Sequence, residues 1–386
     1  MAIYLDNAAT SFPKPAPVYE AMERAQRESA IAAGRGSYQR AADSNRILAQ
    51  CRGAIAEKIG ANNACEISFA FSGTDALCTA ILGYLNPGDH VIASAADHSS
   101  VLRPLWQLQK ANGVELTILP CDANGVVNAD QIVAAIQSNT KLLCLTHASN
   151  VTGAIQPVEE VGQICRQSQV AFLLDAAQTI GDVEINVAQI GCDFLAAPGH
   201  KGLMGPLGTG FLYAASHVAE ACRPLRFGGT GSSGNEQDQP QSLPQKFESG
   251  NLNVPGIAGL LAGLRWLKSN EAQQRADQLL NNHRRLEQEL QRLKGVELYG
   301  LAADRTTTLS FNITAVDCQT VGMLLDSEFG IECRTGLHCA PLIHEHIGAA
   351  KHDGTARLSP GKFTTSDEID QTIAAIRAIA SEVGAA

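Results

Sequence analysis

The chain has 386 residues, 45% of them hydrophobic and 18% charged, which excludes a disordered polymer and is length enough for about two domains. Its 29 Lys and Arg stand against 39 Asp and Glu, a formal charge of −10, so no nucleic-acid surface is expected, although a local site for a small anion stays open. No apolar run reaches the ~18 residues of a membrane span, and the N-terminus MAIYLDNAATSFPKP lacks the basic-then-apolar form of a secretory leader. Eleven cysteines, an odd number without a CxxC pair, fit a reducing, cytoplasmic location better than a disulfide framework.

Ile47, Ile55 and Ile59 recur at helical spacing. The turn FSGTDA leads into an apolar helix over 76–85. Asn86 to Asp89 reads as a turn and HVIASA as a strand. A helix follows over 101–111, ended by Gly113, and VELTILP is the next strand. Asp130 reads as the N-cap of a helix running to Ile136. KLLCLTH is a strand, 158–167 a helix, and VAFLLDAA, CDFLAA and GTGFLYAA are further strands. Short apolar strands alternating with helices predict an α/β sandwich with helices on both faces of the sheet. Residues 224–256 are rich in Gly, Ser, Pro and Gln, which suits either a flexible surface loop or a binding loop. Beyond it, Leu279, Leu286, Leu290 and Leu293 form one helical stripe. TTLSFNI is a strand, and 319–328 and 368–379 are helices. A second, smaller α+β domain is expected over roughly 260–386. GxGxxG is absent, which argues against a Rossmann dinucleotide site.

Ligands of open α/β sheets sit beyond the C-terminal ends of the strands. Successive strands here end near His98, Asn150, Asp175 (with Gln178 three residues on) and Lys201. A lysine packed among the glycines of GHKG is desolvated, which favours a neutral amine nucleophile of the kind aldehyde cofactors take as anchor. An aspartate closing a central strand can hold a pyridine nitrogen protonated. His98 can stack on such a ring, and Ser72-Gly73-Thr74 ahead of a helix can hold a phosphate. Each residue alone has a plainer reading: Lys201 as a surface lysine, Asp175 as a cap, His98 as a hydrogen-bonded loop histidine. Together they point to pyridoxal phosphate. Cys144 and Cys333 read as core. Cys339 by itself would too, but Gly336, His338 and Pro341 suggest a constrained, exposed loop around it. His344 and His346 lack a third ligand, so no metal site is expected.

The blocks YLDNAATSFPKP, SGTDAL, LDAAQTIGDV, GHKGLMGPLGTGFLY, RTGLHCAPLIH and RLSPGKFTTSDEID span nearly the whole chain. They resemble the class V aminotransferases, and within them the SufS-like cysteine desulfurases and selenocysteine lyases. The resemblance implies the pyridoxal-phosphate fold-type I, aspartate aminotransferase-like: a large, seven-stranded, mainly parallel sheet domain and a small α+β C-terminal domain. It implies an N-terminal segment over 1–15 packed on the small domain, a large domain over 16–258, and a small domain over 259–386 carrying the cysteine loop.

By the same resemblance, Lys201 is the Schiff-base lysine, Asp175 the partner of the pyridine nitrogen, and His98 the stacking ring and proton shuttle. Gln178 and Asn150 lie at the ring 3-oxygen, with Asn150 also near the substrate carboxylate. Gly73, Thr74 and His200 hold the phosphate. Thr230 reaches the phosphate of a neighbouring subunit, which implies a homodimer with shared sites. Arg357 clamps the substrate carboxylate, and Cys339 is the thiol that becomes a persulfide as L-cysteine turns into L-alanine. Arg334 and His338 are candidates to favour its thiolate. Ser99, Pro198 and Leu337 depart from the residues usual at those places. An acceptor protein for the sulfur is implied. Two other readings stay open: a selenocysteine or cysteine/cystine lyase without an obligatory persulfide, and a sulfur-relay protein active mainly on an acceptor scaffold.

Overall fold

Residues 2–34, 36–231 and 237–382 are described by the computed structural model. A short strand β1 (Ile3–Tyr4) opens the chain. The apolar runs then become β2 (Ile67–Ala70), β3 (His90–Ser94), β4 (Glu115–Leu119), β5 (Thr140–Thr146), β6 (Ala171–Asp175), β7 (Phe194–Pro198) and β8 (Gly210–Ala214). They form one sheet in the order β2-β8-β7-β6-β5-β3-β4. β8 runs antiparallel to β2 and β7, and the other pairings are parallel. Successive side chains alternate between faces. In β6, Phe172 and Leu174 join one apolar core while Ala171 and Leu173 join the other. Burial on both faces is why this strand reads as unbroken apolar sequence.

The smaller body holds β9 (Val296–Tyr299), β10 (Leu309–Ile313), β11 (Ile331–Glu332), β12 (Arg334–Gly336) and β13 (Thr355–Leu358). β12-β13-β10-β9 is an antiparallel sheet, and β11 pairs in parallel with β1. Ile3 and Leu5 pack with Leu286, Phe311, Leu325 and Ile373 in its core, so the N-terminal strand belongs to this body. The fold is the large-sheet-plus-small-domain arrangement of pyridoxal-phosphate fold-type I enzymes. The helix Val254–Trp266 puts Leu260, Leu261 and Leu264 into the large core.

Local corrections have local causes. The helix Gly73–Tyr84 begins before its apolar run, because Ser72 Oγ accepts the Asp75 N–H at 3.1 Å and caps it. Asp130 does not cap its helix. Asn128 does, accepting the Asp130 N–H at 2.8 Å, and Asp130 lies in the first turn. Leu293 falls just past the helix Asn270–Arg292, whose buried stripe is Leu279, Leu286 and Leu290. The Gly/Ser-rich segment is tethered on both sides of residues 232–236, which lie outside the described residues. Arg226 pairs with Asp75, and Glu248 pairs with Arg52 at 2.8 Å and accepts the Phe69 N–H at 2.6 Å.

Candidate active site

β3, β5, β6 and β7 are mutually parallel through their neighbours, so their C-terminal ends share one edge of the sheet. The loops leaving that edge bring His98, Asn150, Asp175 and Lys201 to a single cavity. Gly73, Thr74, Gln178 and His200 line it too, whereas Thr230, Cys339 and Arg357 do not. Gly73 has a steric reason to be glycine, because a Cβ there would approach the Pro198 side chain to 3.0 Å. The end of β7 can thus lie against the start of the helix.

Lys201 keeps part of its surface open to the cavity although protein surrounds its amine. Burial lowers the ammonium to about 8; Asp175 opposes the shift, and Arg357 and Arg334 reinforce it. About a tenth of the amine is then neutral at pH 7 and about half at pH 8. Burial raises the Asp175 carboxyl, against the Ala177 N–H and Lys201, and a further cation in the cavity would favour its ionised form. His98 Nδ1 accepts the Ser100 N–H at 3.0 Å, which leaves the ring proton on Nε2. Burial, then Lys201, Arg334, Arg103 and Arg357, push His98 down to about 4, so it is neutral at pH 7.

The phosphate end follows from the helix Gly73–Tyr84: the Asp75 and Ala76 N–H groups are taken by Ser72, and those of Gly73 and Thr74 precede them at the helix start. Thr74 Oγ1 and Ser100 Oγ lie 2.7 Å apart beside it. His200 Nδ1 is buried with no partner among the described residues. A lone imidazole nitrogen, two hydroxyls and a helix N-terminus fit a bound phosphate, while Asp175 and Lys201 fit a pyridine aldehyde.

Sequence reasoning did not assign the groups that hold these residues in place. The His200 carbonyl accepts from Lys14 Nζ at 2.7 Å and from the Thr10 hydroxyl at 3.1 Å. The N-terminal segment therefore pins the peptide that carries Lys201. Arg357 is 0% exposed, pairs with Asp6 and donates from Nη1 to the Asn150 carbonyl at 2.9 Å. Among the described residues its Nε has no hydrogen-bond partner. Gln178 donates to the Ala8 carbonyl at 3.1 Å. Asp6 stood in a quoted motif, but its partner is 351 positions away, and nothing in the local pattern named it.

Cys339 is exposed, and Arg334 Nη2 donates to its Sγ at 3.0 Å. Its carbonyl accepts the Ser99 N–H at 2.7 Å, which docks the loop on the start of the helix Ser99–Asn112. Of the two residues expected beside the thiol, Arg334 touches its sulfur, whereas the His338 ring faces Thr355. His338 is 2% exposed, and burial, then Arg357, His344 and Arg334, hold its pKa well below 6.5. A neutral ring cannot stabilise a thiolate by charge. Replacing Arg334 by Met should slow iodoacetamide modification of Cys339 at pH 7 about three- to tenfold. Peptide-resolved mass spectrometry reads this, with the exposed Cys65 as internal reference. An unchanged rate would remove Arg334 from that role.

Among the described residues no His/Cys/Asp/Glu group could hold a metal, and no helix is long and apolar enough to cross a membrane. The family described as aminotransferase class-V matches residues 3–372. A probable cysteine desulfurase of Methanothermobacter thermautotrophicus is 35% identical over 95% of this chain and 92% of its own length. The apo structure of a cysteine desulfurase from Thermococcus onnurineus superposes with a TM-score of 0.91 at 29% identity, covering 99% of this chain and 95% of that one. The cysteine desulfurase CsdA of Escherichia coli gives 0.88 at 28%, with 99% and 95% covered.

Proposed function

The chain belongs to the class-V aminotransferase family, in its cysteine desulfurase group, and is a pyridoxal-phosphate-dependent transferase; from that premise we propose that it moves the sulfur of L-cysteine onto Cys339 as a persulfide, releases L-alanine, and passes the sulfur to an acceptor protein. The observation that carries this reading is the exposed Cys339 thiol held against Arg334.

Gly73, Thr74 and His200 would hold the cofactor phosphate, Asp175 the pyridine nitrogen, Gln178 and Asn150 the 3-oxygen, and His98 the ring face. When bound, the cofactor supplies an electron sink that stabilises negative charge at the substrate Cα and weakens its Cβ–S bond. The Lys201 amine, with its ammonium lowered to about 8, takes the Cα proton. The Cys339 thiolate attacks the substrate sulfur. An S–S bond forms, the Cβ–S bond breaks, and its electron pair stays with carbon, which is protonated on the way to alanine. His98, neutral with its proton on Nε2, serves the proton balance at the substrate sulfur.

Arg357 would take the substrate carboxylate on its Nε edge, where the unpartnered donor lies. Because Asp6 holds the other edge, part of that binding competes with an internal carboxylate. Arg357→Ala should raise KM for L-cysteine about 30-fold or more while cofactor binding persists. A wild-type KM would rule the clamp out.

A dimer with shared sites is supported by exposed apolar side chains close in sequence to site residues. Phe71 (66%) comes two residues before the helix Gly73–Tyr84, Leu207 (66%) six after Lys201 and Phe227 (75%) three before Thr230. In that dimer Thr230 reaches the partner's phosphate. The eleven cysteines are all free, which supports a cytoplasmic location. The test is to incubate the holoenzyme with L-cysteine and quantify alanine, pyruvate and protein-bound persulfide. Alanine with persulfide on Cys339 supports the proposal. Pyruvate, or alanine without persulfide, makes the protein a lyase.

A further inference from the structure

We propose that His338 is a positioning residue for the Cys339 thiol, an imidazole strut that ties the loop to β13 and holds the sulfur beside Arg334. His338 and Cys339 are two successive residues with positive φ, 50° and 60°, a backbone region uncommon for residues with a Cβ. Something outside the loop must hold them there. His338 Nε2 lies 3.0 Å from the Thr355 carbonyl and 2.9 Å from Thr355 Oγ1.

The hydroxyls beyond run one way. Thr355 Oγ1 donates to Ser310 Oγ at 3.1 Å, and Ser310 Oγ donates to the Val151 carbonyl at 2.6 Å. Thr355 therefore has no hydroxyl proton to offer the ring. Both groups facing Nε2 are acceptors, so Nε2 carries the proton and donates. Nδ1 is buried with no partner among the described residues. The charged and titratable groups around the ring are Arg357 on β13, Arg334 on β12 and His344, whose ring centroid is 6.0 Å away. They favour an uncharged ring. The His338 carbonyl meanwhile accepts from Asn150 Nδ2 at 2.5 Å, and the Cys339 carbonyl from the Ser99 N–H at 2.7 Å. The strut thus anchors the side-chain end of a loop whose two carbonyls are already fastened to the large body. Ring and carbonyl together fix the direction in which Sγ leaves the backbone.

This assignment rests on reading Cys339 as the sulfur-accepting thiol, but one of its readouts does not. Holoenzyme carrying His338→Ala or His338→Gln is compared with wild type in two measurements. One is the rate of iodoacetamide modification of Cys339 at pH 7. The other is single-turnover persulfide formation from L-cysteine. The visible cofactor band and the urea midpoint report folding. His338→Ala should slow persulfide formation about 10- to 100-fold, the scale of a misplacement near 1 Å, and should slow modification as the sulfur leaves Arg334. Glutamine keeps an N–H donor at similar reach and cannot titrate, so His338→Gln should recover most of both. If glutamine is as poor as alanine in persulfide formation while modification is unchanged in both, His338 transfers protons and the strut is overturned. Wild-type behaviour of His338→Ala in both measurements also overturns it. Should His338→Ala not fold, Thr355→Val replaces it: a smaller loss in both readouts supports the strut, and no change sinks it. If the wild type forms no persulfide, the desulfurase reading fails while the modification rates still decide the strut.

Discussion

Replacing Lys201 by alanine is expected to remove turnover of L-cysteine, a loss of roughly 10⁴-fold or more, with the fold intact. The lysine sits in the turn after β7, where protein surrounds its amine and lowers the ammonium to about 8. Truncation deletes the anchor for an aldehyde and the base for the Cα proton together. It also removes a costly buried ammonium, which offsets the lost contacts. The His200 and Lys201 carbonyls keep their partners from Thr10, Ser11 and Lys14, because those bonds are made by the backbone. The visible band of the lysine-bound cofactor should therefore disappear while the urea midpoint stays close to wild type. A wild-type band with undiminished turnover would take Lys201 out of the chemistry.

Replacing Cys339 by alanine should leave cofactor binding and stability untouched and lower alanine formation from L-cysteine about 10³-fold. The side chain is exposed and its sulfur is held by Arg334, so truncation leaves no core cavity and the expected stability change is within about 0.5 kcal/mol. Without the thiolate nothing accepts the substrate sulfur, although Lys201 can still take the Cα proton. L-Selenocysteine separates the mechanisms, because selenium leaves carbon with less help than sulfur. The variant should keep its selenocysteine activity to within about tenfold, a far smaller loss than with cysteine. Near-normal alanine production from L-cysteine would falsify the persulfide step and favour a simple lyase.

Much of the site could be read because reactive residues followed apolar runs. Asp175 closes β6 and Lys201 comes just after β7, so the strands carried them to one edge of the sheet. His98 was legible for the same reason. The cysteine loop was legible through its flanking glycine and proline as an exposed segment, and Cys339 is indeed exposed. The charge state of His338 was not. It depends on burial under β13 and on Arg357, nineteen positions on in the chain. The composition of the Gly/Ser-rich segment likewise does not show that Arg226 and Glu248 pair with Asp75 and Arg52.

Apolar periodicity determined the strands and helices of this chain, because burying a face requires a repeat of two or 3.6 residues whatever the partner. The chain order of its polar strand ends likewise determined which residues could meet. Only the tertiary structure decided what each of them touches. Arg357 is neutralised by Asp6, Asn150 fastens the carbonyl of His338, and Lys14 grips the carbonyl next to Lys201. These contacts join segments more than 180 residues apart. Hydrogen bonds and ion pairs depend on distances of about 3 Å, which no local pattern encodes. Desolvation depends on what the rest of the chain stacks above a group, and that is settled when the two bodies pack together.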